Sequence, residues 1–191
     1  MQLIFDYADR KVYAVSESPE KRELKASVKV FDAASKLLKE ESRTVTPGYR
    51  DVLPVFDLKS FDGKPHFVAL ELSEGDRTVA DNFYCLAAED NDYVWKKTNW
   101  YVTPISRYAD LGFVFGQGSA DVEMTVDGHR VTLTNRSDVI AYQCVLKAKD
   151  AQGRLAVPAF WSDNFFPLLP GQRKTVTCET DVEGIHFELV R

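Results

Sequence analysis

Val122-Glu-Met-Thr-Val-Asp-Gly-His-Arg-Val-Thr-Leu-Thr134 decides the class of this fold. Apolar and polar side chains alternate on both sides of Asp127-Gly128, and alternation with a period of two marks a half-buried strand. Asp-Gly between two such runs is a strong hairpin signal, because glycine takes the positive φ that a tight two-residue turn needs. A β-hairpin is therefore predicted over residues 122–134. Toward the C-terminus the same texture continues. Asn135-Arg-Ser-Asp138 turns the chain into a long strand, Val139–Ala148, and Gln152-Gly153 marks a turn before a strand over Leu155–Trp161. Pro170-Gly171 is another turn, in which proline presets φ and glycine supplies the positive φ that follows. Strands at Lys174–Cys178 and Ile185–Val190 complete the set.

Toward the N-terminus, strands are predicted at Lys11–Val15, Leu24–Phe31, Arg43–Thr46, Val52–Leu58, His66–Leu72 and Val79–Leu86. Ser18-Pro19, Pro47-Gly48, Asp62-Gly63 and Glu74-Gly75 separate them with turn chemistry. Ala34–Glu41 reads equally well as one helical turn or as the charged arm of a hairpin. No longer segment keeps a helical stripe, so the class is all-β, and short strands at regular spacing indicate antiparallel sandwiches. Between Glu89 and Leu111 the alternation stops. This segment carries Tyr93, Trp95, Trp100, Tyr101 and Tyr108, too much aromatic surface for a solvated linker. It is read as an ordered connector that packs against a neighbouring domain. The boundaries that follow are 1–89 and 113–191 for two sandwiches, with 90–112 as the connector. A length of 191 residues suits two cores of about 80–90 residues each.

Composition narrows the function classes. Hydrophobic residues make up 45% and aromatic residues 12%, which excludes a disordered chain. The longest run without a charged side chain is Leu111–Ala120, too short for a membrane-spanning helix. Met1-Gln-Leu-Ile-Phe-Asp6 lacks the basic start and apolar stretch of a secretion signal. A net charge of −5 argues against a nucleic-acid partner. Of the three cysteines, Cys144 and Cys178 alternate in phase with inward-facing neighbours. Free buried thiols are the reading adopted, with a Cys144–Cys178 disulfide left open. No Cys/His spacing suits a metal, and no cofactor is implied.

Chemistry-bearing patterns are sparse. His66, His129 and His186 fall in unrelated strands or turns, and no G-x-S-x-G elbow supports a nucleophile. Asp81, Asp90, Asp92 and Asp163 are the carboxylates worth weighing as a glycosidase pair, although Asp163-Asn164 between aromatics suits a backbone-bonding bend better. Gly112-Phe-Val-Phe-Gly-Gln-Gly118 has no Lys-Ser/Thr ending and opens no helix, so it is no phosphate loop. No catalytic residue is assigned. The remaining site candidates are rings and their polar neighbours. Trp95, Trp100 and Tyr101 in the connector, and Trp161, Asp163 and Asn164 with Phe165 and Phe166 further on, could stack on sugars or pack domains together. Asp81-Asn-Phe-Tyr84 and Asp163-Asn-Phe-Phe166 echo one another weakly.

Three stretches carry a family resemblance. Asp81-Asn-Phe-Tyr-Cys-Leu86, Trp95-Lys-Lys-Thr-Asn-Trp-Tyr-Val-Thr-Pro104 with Tyr108-Ala-Asp110, and Val157-Pro-Ala-Phe-Trp-Ser-Asp-Asn-Phe-Phe-Pro-Leu-Leu-Pro-Gly171 resemble the C-terminal region of exo-β-D-glucosaminidases and β-mannosidases of glycoside hydrolase family 2. The departure is Cys85, where that family usually has tryptophan. The resemblance implies two tandem immunoglobulin-like sandwiches joined by the aromatic connector. It also implies a parent enzyme whose two catalytic carboxylates lie in a (β/α)8 barrel outside this chain, whose 191 residues hold no alternating βα units. On that reading the chain is a non-catalytic accessory region that docks on the barrel and the N-terminal domains of its parent, in the periplasm or outside the cell. The alternative is a carbohydrate-binding module for chitosan- or mannan-type oligosaccharides. Neither reading involves a membrane.

Overall fold

The computed structural model describes residues 1–181 and 183–189. Two compact units divide the chain, Met1–Val114 and Phe115–Arg191. In the first, β1 (Gln2–Asp6), β2 (Lys11–Val15) and β5 (Val52–Asp57) form one antiparallel sheet in the order β1-β2-β5. β3 (Leu24–Asp32), β4 (Leu37–Val45), β6 (His66–Glu74) and β7 (Arg77–Leu86) form the other, in the order β4-β3-β6-β7. The alternation in the sequence becomes the core directly. Leu24, Ala26, Val28 and Val30 of β3 are buried, and the last three stand beside Leu72, Leu70 and Val68 of β6 in register. Leu3 and Phe5, Val12 and Ala14, and Val55 and Phe56 supply the facing sheet. Each fully buried Val, Leu or Phe contributes about 1.5–3 kcal/mol relative to an exposed one.

The two sheets are also stitched by polar side chains. β1 lies at the edge of its sheet, so its outer backbone groups need partners from elsewhere. Asn82 Nδ2 donates to the Leu3 carbonyl at 2.7 Å, and the Phe5 N–H donates to Tyr84 Oη at 3.1 Å. Both side chains come from one face of β7, two residues apart, and the Tyr84 ring also lies 5.8 Å from that of Phe5. The opposite edge, β4, is guarded by charge, with Lys29–Glu40, Lys39–Glu41 and Arg43–Glu41 ion pairs along it. The stretch Ala34–Glu41 is thus a hairpin and its arm, and β4 extends the strand expected at Arg43–Thr46. β1 itself was not expected from the alternation. It is five residues long, and its pairing with β2 follows from the tight turn between them.

His66 opens β6 and is buried, with Nδ1 donating to the Lys64 carbonyl at 2.7 Å. Burial pushes its imidazole below the usual value, against the opposing pull of that carbonyl and of Asp62.

In the second unit, β10 (Val122–Asp127), β11 (Arg130–Asn135) and β14 (Arg173–Thr177) form one sheet. β12 (Ala141–Lys149), β13 (Phe166–Leu168) and β15 (Gly184–Leu189) form the other, with β12 central. The decisive hairpin is present. Asp127 pairs with Arg130 across a two-residue turn, and Gly128 at its first central position has φ 56°, as a type II′ turn requires. Val131, Leu133, Cys144, Leu146, Phe166, Leu168 and Val176 form the core. Asn135 is buried among them, its Nδ2 donating to the carbonyls of Val139 and Leu168 at 2.8 and 3.0 Å. Cys144 and Cys178 are fully buried free thiols, and burial pushes Cys144 up to about 12. Val190, the end of the last expected strand, lies outside the described residues.

One strand expectation is corrected. Leu155–Trp161 is irregular, joined to its surroundings by two isolated bridges, Lys149–Leu155 and Trp161–Cys178, rather than by a ladder. Pro158 in its middle has no N–H to give a ladder, and its bond to Val157 is cis.

Two outcomes test these contacts. Asn82→Ala should cost about 1–3 kcal/mol of stability by leaving the Leu3 carbonyl unpaired, and Tyr84→Phe about 1 kcal/mol; urea unfolding reads both. An imidazole with a depressed folded pKa leaves stability intact above its unfolded value of about 6.5 and withdraws it as pH falls below, because the unfolded chain binds the proton first. Between pH 7 and pH 5 the Tm of His66→Gln should therefore fall less than that of the unaltered chain. Equal slopes would show that His66 does not contribute.

Candidate functional site

The connector, 90–112, lies within the first compact unit. It folds as a short antiparallel ribbon of β8 (Asp92–Tyr93) and β9 (Ile105–Arg107), with a 3-10 turn at Trp95–Lys97. Its base is pinned from both sides. Arg10, whose side chain is mostly buried, bonds Asp90 at 2.5 Å and Asp62 at 3.1 Å, while Arg107 pairs with Glu89. Higher up, Val94 N–H donates to the Pro104 carbonyl at 2.8 Å, and Ser106 Oγ donates to Asp92 Oδ2 at 2.8 Å. At the tip, Asn99 Oδ1 accepts the N–H groups of Tyr101 and Val102, both at 3.1 Å, so an Asx side chain shapes the bend. Phe113 lies 5.1 Å from Phe67 and Val114 is buried, which gives the start of the glycine-bounded Gly112–Gly118 stretch a packing role.

On this fastened frame the rings stand in solvent. Trp95 is 70% exposed, Trp100 91%, Tyr101 71% and Tyr108 75%. Trp100 and Tyr101 meet edge to face at 4.7 Å, and Tyr93 and Trp95 lie 5.2 Å apart. The packing expected for these rings is not made within the described residues. Exposed rings grouped in pairs, as Trp100 is with Tyr101 and Trp95 with Tyr93, are a feature of interaction sites.

The second group of candidates is divided by the fold. Trp161 is half-buried and packs on the second core. Asp163 pairs with Lys174 at 2.6 Å and accepts the Asn164 N–H at 2.8 Å. Asn164 spends its amide on one residue of β12: Oδ1 accepts the Leu146 N–H and Nδ2 donates to the Leu146 carbonyl, each at 2.9 Å. In effect the side chain replaces a missing strand partner at a buried position. Phe166 is core, and the Lys174 ammonium stands over its ring at 4.7 Å. Phe165, between these fixed neighbours, is 61% exposed with φ 59°, a left-handed conformation that costs a bulky residue about 1–2 kcal/mol. Phe160, absent from the sequence-based candidates, is 60% exposed. Its outward direction follows from Trp161 facing Cys178 inward, which alternation could have shown had the segment been a full strand.

Acid–base or metal chemistry finds little here. Asp90, Asp92 and Asp163 are each held by a structural partner, Arg10, Ser106 and Lys174 respectively. Among the described residues no group of three or more His, Cys, Asp or Glu side chains is arranged to hold a metal ion.

The two halves of the chain have relatives. Residues 100–188 match the family described as the exo-β-D-glucosaminidase Ig-fold domain, and residues 8–88 the mannosidase Ig/CBM-like domain. An exo-β-D-glucosaminidase of Arthroderma benhamiae is 27% identical over 97% of this chain, which covers 23% of that protein. Another, from Amycolatopsis orientalis, is 32% identical over 56% of this chain and 12% of its own length. Among solved structures, the exo-chitosanase of Amycolatopsis orientalis superposes with a TM-score of 0.81 at 23% identity, covering 92% of this chain and 23% of that one. The β-D-mannosidase of Dictyoglomus thermophilum does so with a TM-score of 0.56 at 18% identity, covering 94% and 20%. These likenesses establish the immunoglobulin-like fold, in a chain that spans about a quarter of the length of such relatives.

Fastening and display residues should separate experimentally. Asn164→Ala is expected to lower the unfolding free energy by about 1–3 kcal/mol, since it orphans two buried backbone groups. Trp100→Ala should stay within about 0.5 kcal/mol of the parent chain. Urea titrations of both variants would expose an error if Asn164→Ala proved neutral.

Proposed function

Because the chain carries immunoglobulin-like domains of the exo-β-D-glucosaminidase type, we propose that it is a non-catalytic accessory region of a longer family 2 glycosidase. Two such domains, over 1–89 and 113–191, flank the connector at 90–112. The parent would release β-linked glucosamine from chain ends, using carboxylates in a barrel outside these residues. The observation that carries the reading is the connector face. Trp95, Trp100, Tyr101 and Tyr108 are exposed on a ribbon whose base and tip are both hydrogen-bonded. A preorganised aromatic surface of this kind suits burial against another protein surface, since little conformational entropy remains to be lost on docking. The docking partner is the catalytic barrel with its N-terminal domains, in the periplasm or outside the cell.

A second reading has its own support. Trp100, at 91% exposure, offers a ring on which a chitosan- or mannan-type oligosaccharide could stack, with Tyr101 beside it and Trp95 exposed on the same ribbon. Trp161 and Asn164 fit that role less well, being engaged with the second core and with Leu146.

An antibody against residues 1–191, applied to extracts of the source organism, should detect a polypeptide several times heavier than 21.6 kDa. That larger protein should hydrolyse 4-nitrophenyl β-D-glucosaminide, and purified 1–191 should not. A native band at 21.6 kDa would overturn the accessory reading. If chitosan oligosaccharides then quenched the tryptophan fluorescence of 1–191, and Trp100→Ala abolished the effect, the binding-module reading would replace it.

A further inference from the structure

The turn after Trp161 holds a contradiction that the fold of its own unit does not resolve. Ser162, Asp163 and Asn164 are three consecutive polar residues, and each fastens the segment to a different place. Ser162 Oγ accepts the Thr177 N–H at 2.9 Å, and the Ser162 N–H donates back to the Thr177 carbonyl at 2.9 Å. Asp163 holds Lys174, and Asn164 bridges both backbone groups of Leu146. Just upstream, the Phe160 N–H donates to Thr180 Oγ1 at 3.0 Å, and its carbonyl accepts the Glu179 N–H at 2.8 Å. The segment is irregular in conformation but fastened at Phe160, Ser162, Asp163 and Asn164.

Such a segment should bury its large apolar residues, and with Trp161 and Phe166 it does. Phe160 and Phe165 point the other way, at 60% and 61% exposure, with Leu155 and Val157 also exposed. Phe165 moreover sits at φ 59°, with its N–H donating to Asn164 Oδ1 at 3.0 Å. Glycine or asparagine would occupy that conformation with less strain. Backbone strain at a residue whose ring makes no use of its own core points to a contact made elsewhere. The exposed group is wholly hydrocarbon. Unlike the connector rings, which include tryptophans and tyrosines, it offers no hydroxyl or indole N–H toward a sugar or water.

We propose that Phe160 and Phe165, exposed on the same segment as Leu155 and Val157, are docking residues covered by polypeptide of the same protein outside residues 1–191. This rests on the reading of the chain as part of a longer protein. The length of that remainder supports the choice of occupant, since the relatives are about four times as long as the portion matched here. The chemistry supports it as well, because an apolar surface held rigid by hydrogen bonds to its backbone fits a complementary protein surface better than a hydroxylated ligand.

Hydroxyl-radical footprinting of purified 1–191 and of the native protein tests this at single-residue resolution. Phe160 and Phe165 should be oxidised readily in 1–191 and at least about tenfold less in the native protein. A companion variant, Phe165→Asn, should leave the Tm of 1–191 unchanged or raise it by relieving the strain, yet shorten the thermal half-life of the native protein. Equal labelling in a native protein much longer than 191 residues would overturn the docking surface and leave the accessory reading standing. A native polypeptide of only 191 residues would remove both. Protection of Phe165 in 1–191 by self-association, or by added chitosan oligosaccharide, would also overturn the proposal and assign the surface to a second copy or to a sugar.

Discussion

Open sheets of three and four strands end in edges, and every edge leaves backbone N–H and C=O groups that must find a partner or stay in water. Much of this protein follows from how those groups are satisfied. In the first unit Asn82 and Tyr84 reach from β7 to the edge of β1, so the two sheets are joined by polar contacts as well as by the core between them. In the second, Asn164 takes the place of a strand partner for Leu146, and Asn135 holds the carbonyls of Val139 and Leu168. Where no side chain does this, as along β4, alternating ion pairs guard the edge instead.

These polar fasteners also explain the motif pieces that set the chain apart. The Asn-Phe-Tyr of β7 and the Ser-Asp-Asn after Trp161 are structural: Asn82, Tyr84, Ser162, Asp163 and Asn164 are engaged by hydrogen bonds or an ion pair, and Phe83 stacks on Phe67. The weak echo between 81–84 and 163–166 becomes intelligible on the same basis. In both places asparagine bonds a backbone distant in sequence, though in one it stands within a strand and in the other at an irregular turn. The aromatics divide differently. Phe5, Phe56, Phe67 and Phe166 are buried, whereas Trp95, Trp100, Tyr101, Tyr108, Phe160 and Phe165 are exposed. The exposed ones stand on segments held by many hydrogen bonds. That combination of rigid backbone and solvated ring favours association, because the ordering cost is met in the free protein.

The amino-acid sequence by itself determined the class of the fold. Alternation in Leu24–Phe31, His66–Leu72 and Val122–Thr134 reports the pleat of each strand, and the pleat is a local property that every second side chain reveals. The Asp127-Gly128 turn and the inward direction of Cys144 and Cys178 were legible for the same reason. Tertiary structure alone decided the rest. β1 exists because β2 pairs with it, Leu155–Trp161 fails as a strand because Pro158 cannot join a ladder, and Asn164 is structural because Leu146 lies opposite it, eighteen residues away in sequence. Which rings face solvent was likewise undecided until the chain closed, since phenylalanine reads the same at 160, 165 and 166. A local pattern specifies how a strand presents its two faces. What stands against each face depends on where the rest of the chain returns, and that information is distributed over the whole sequence.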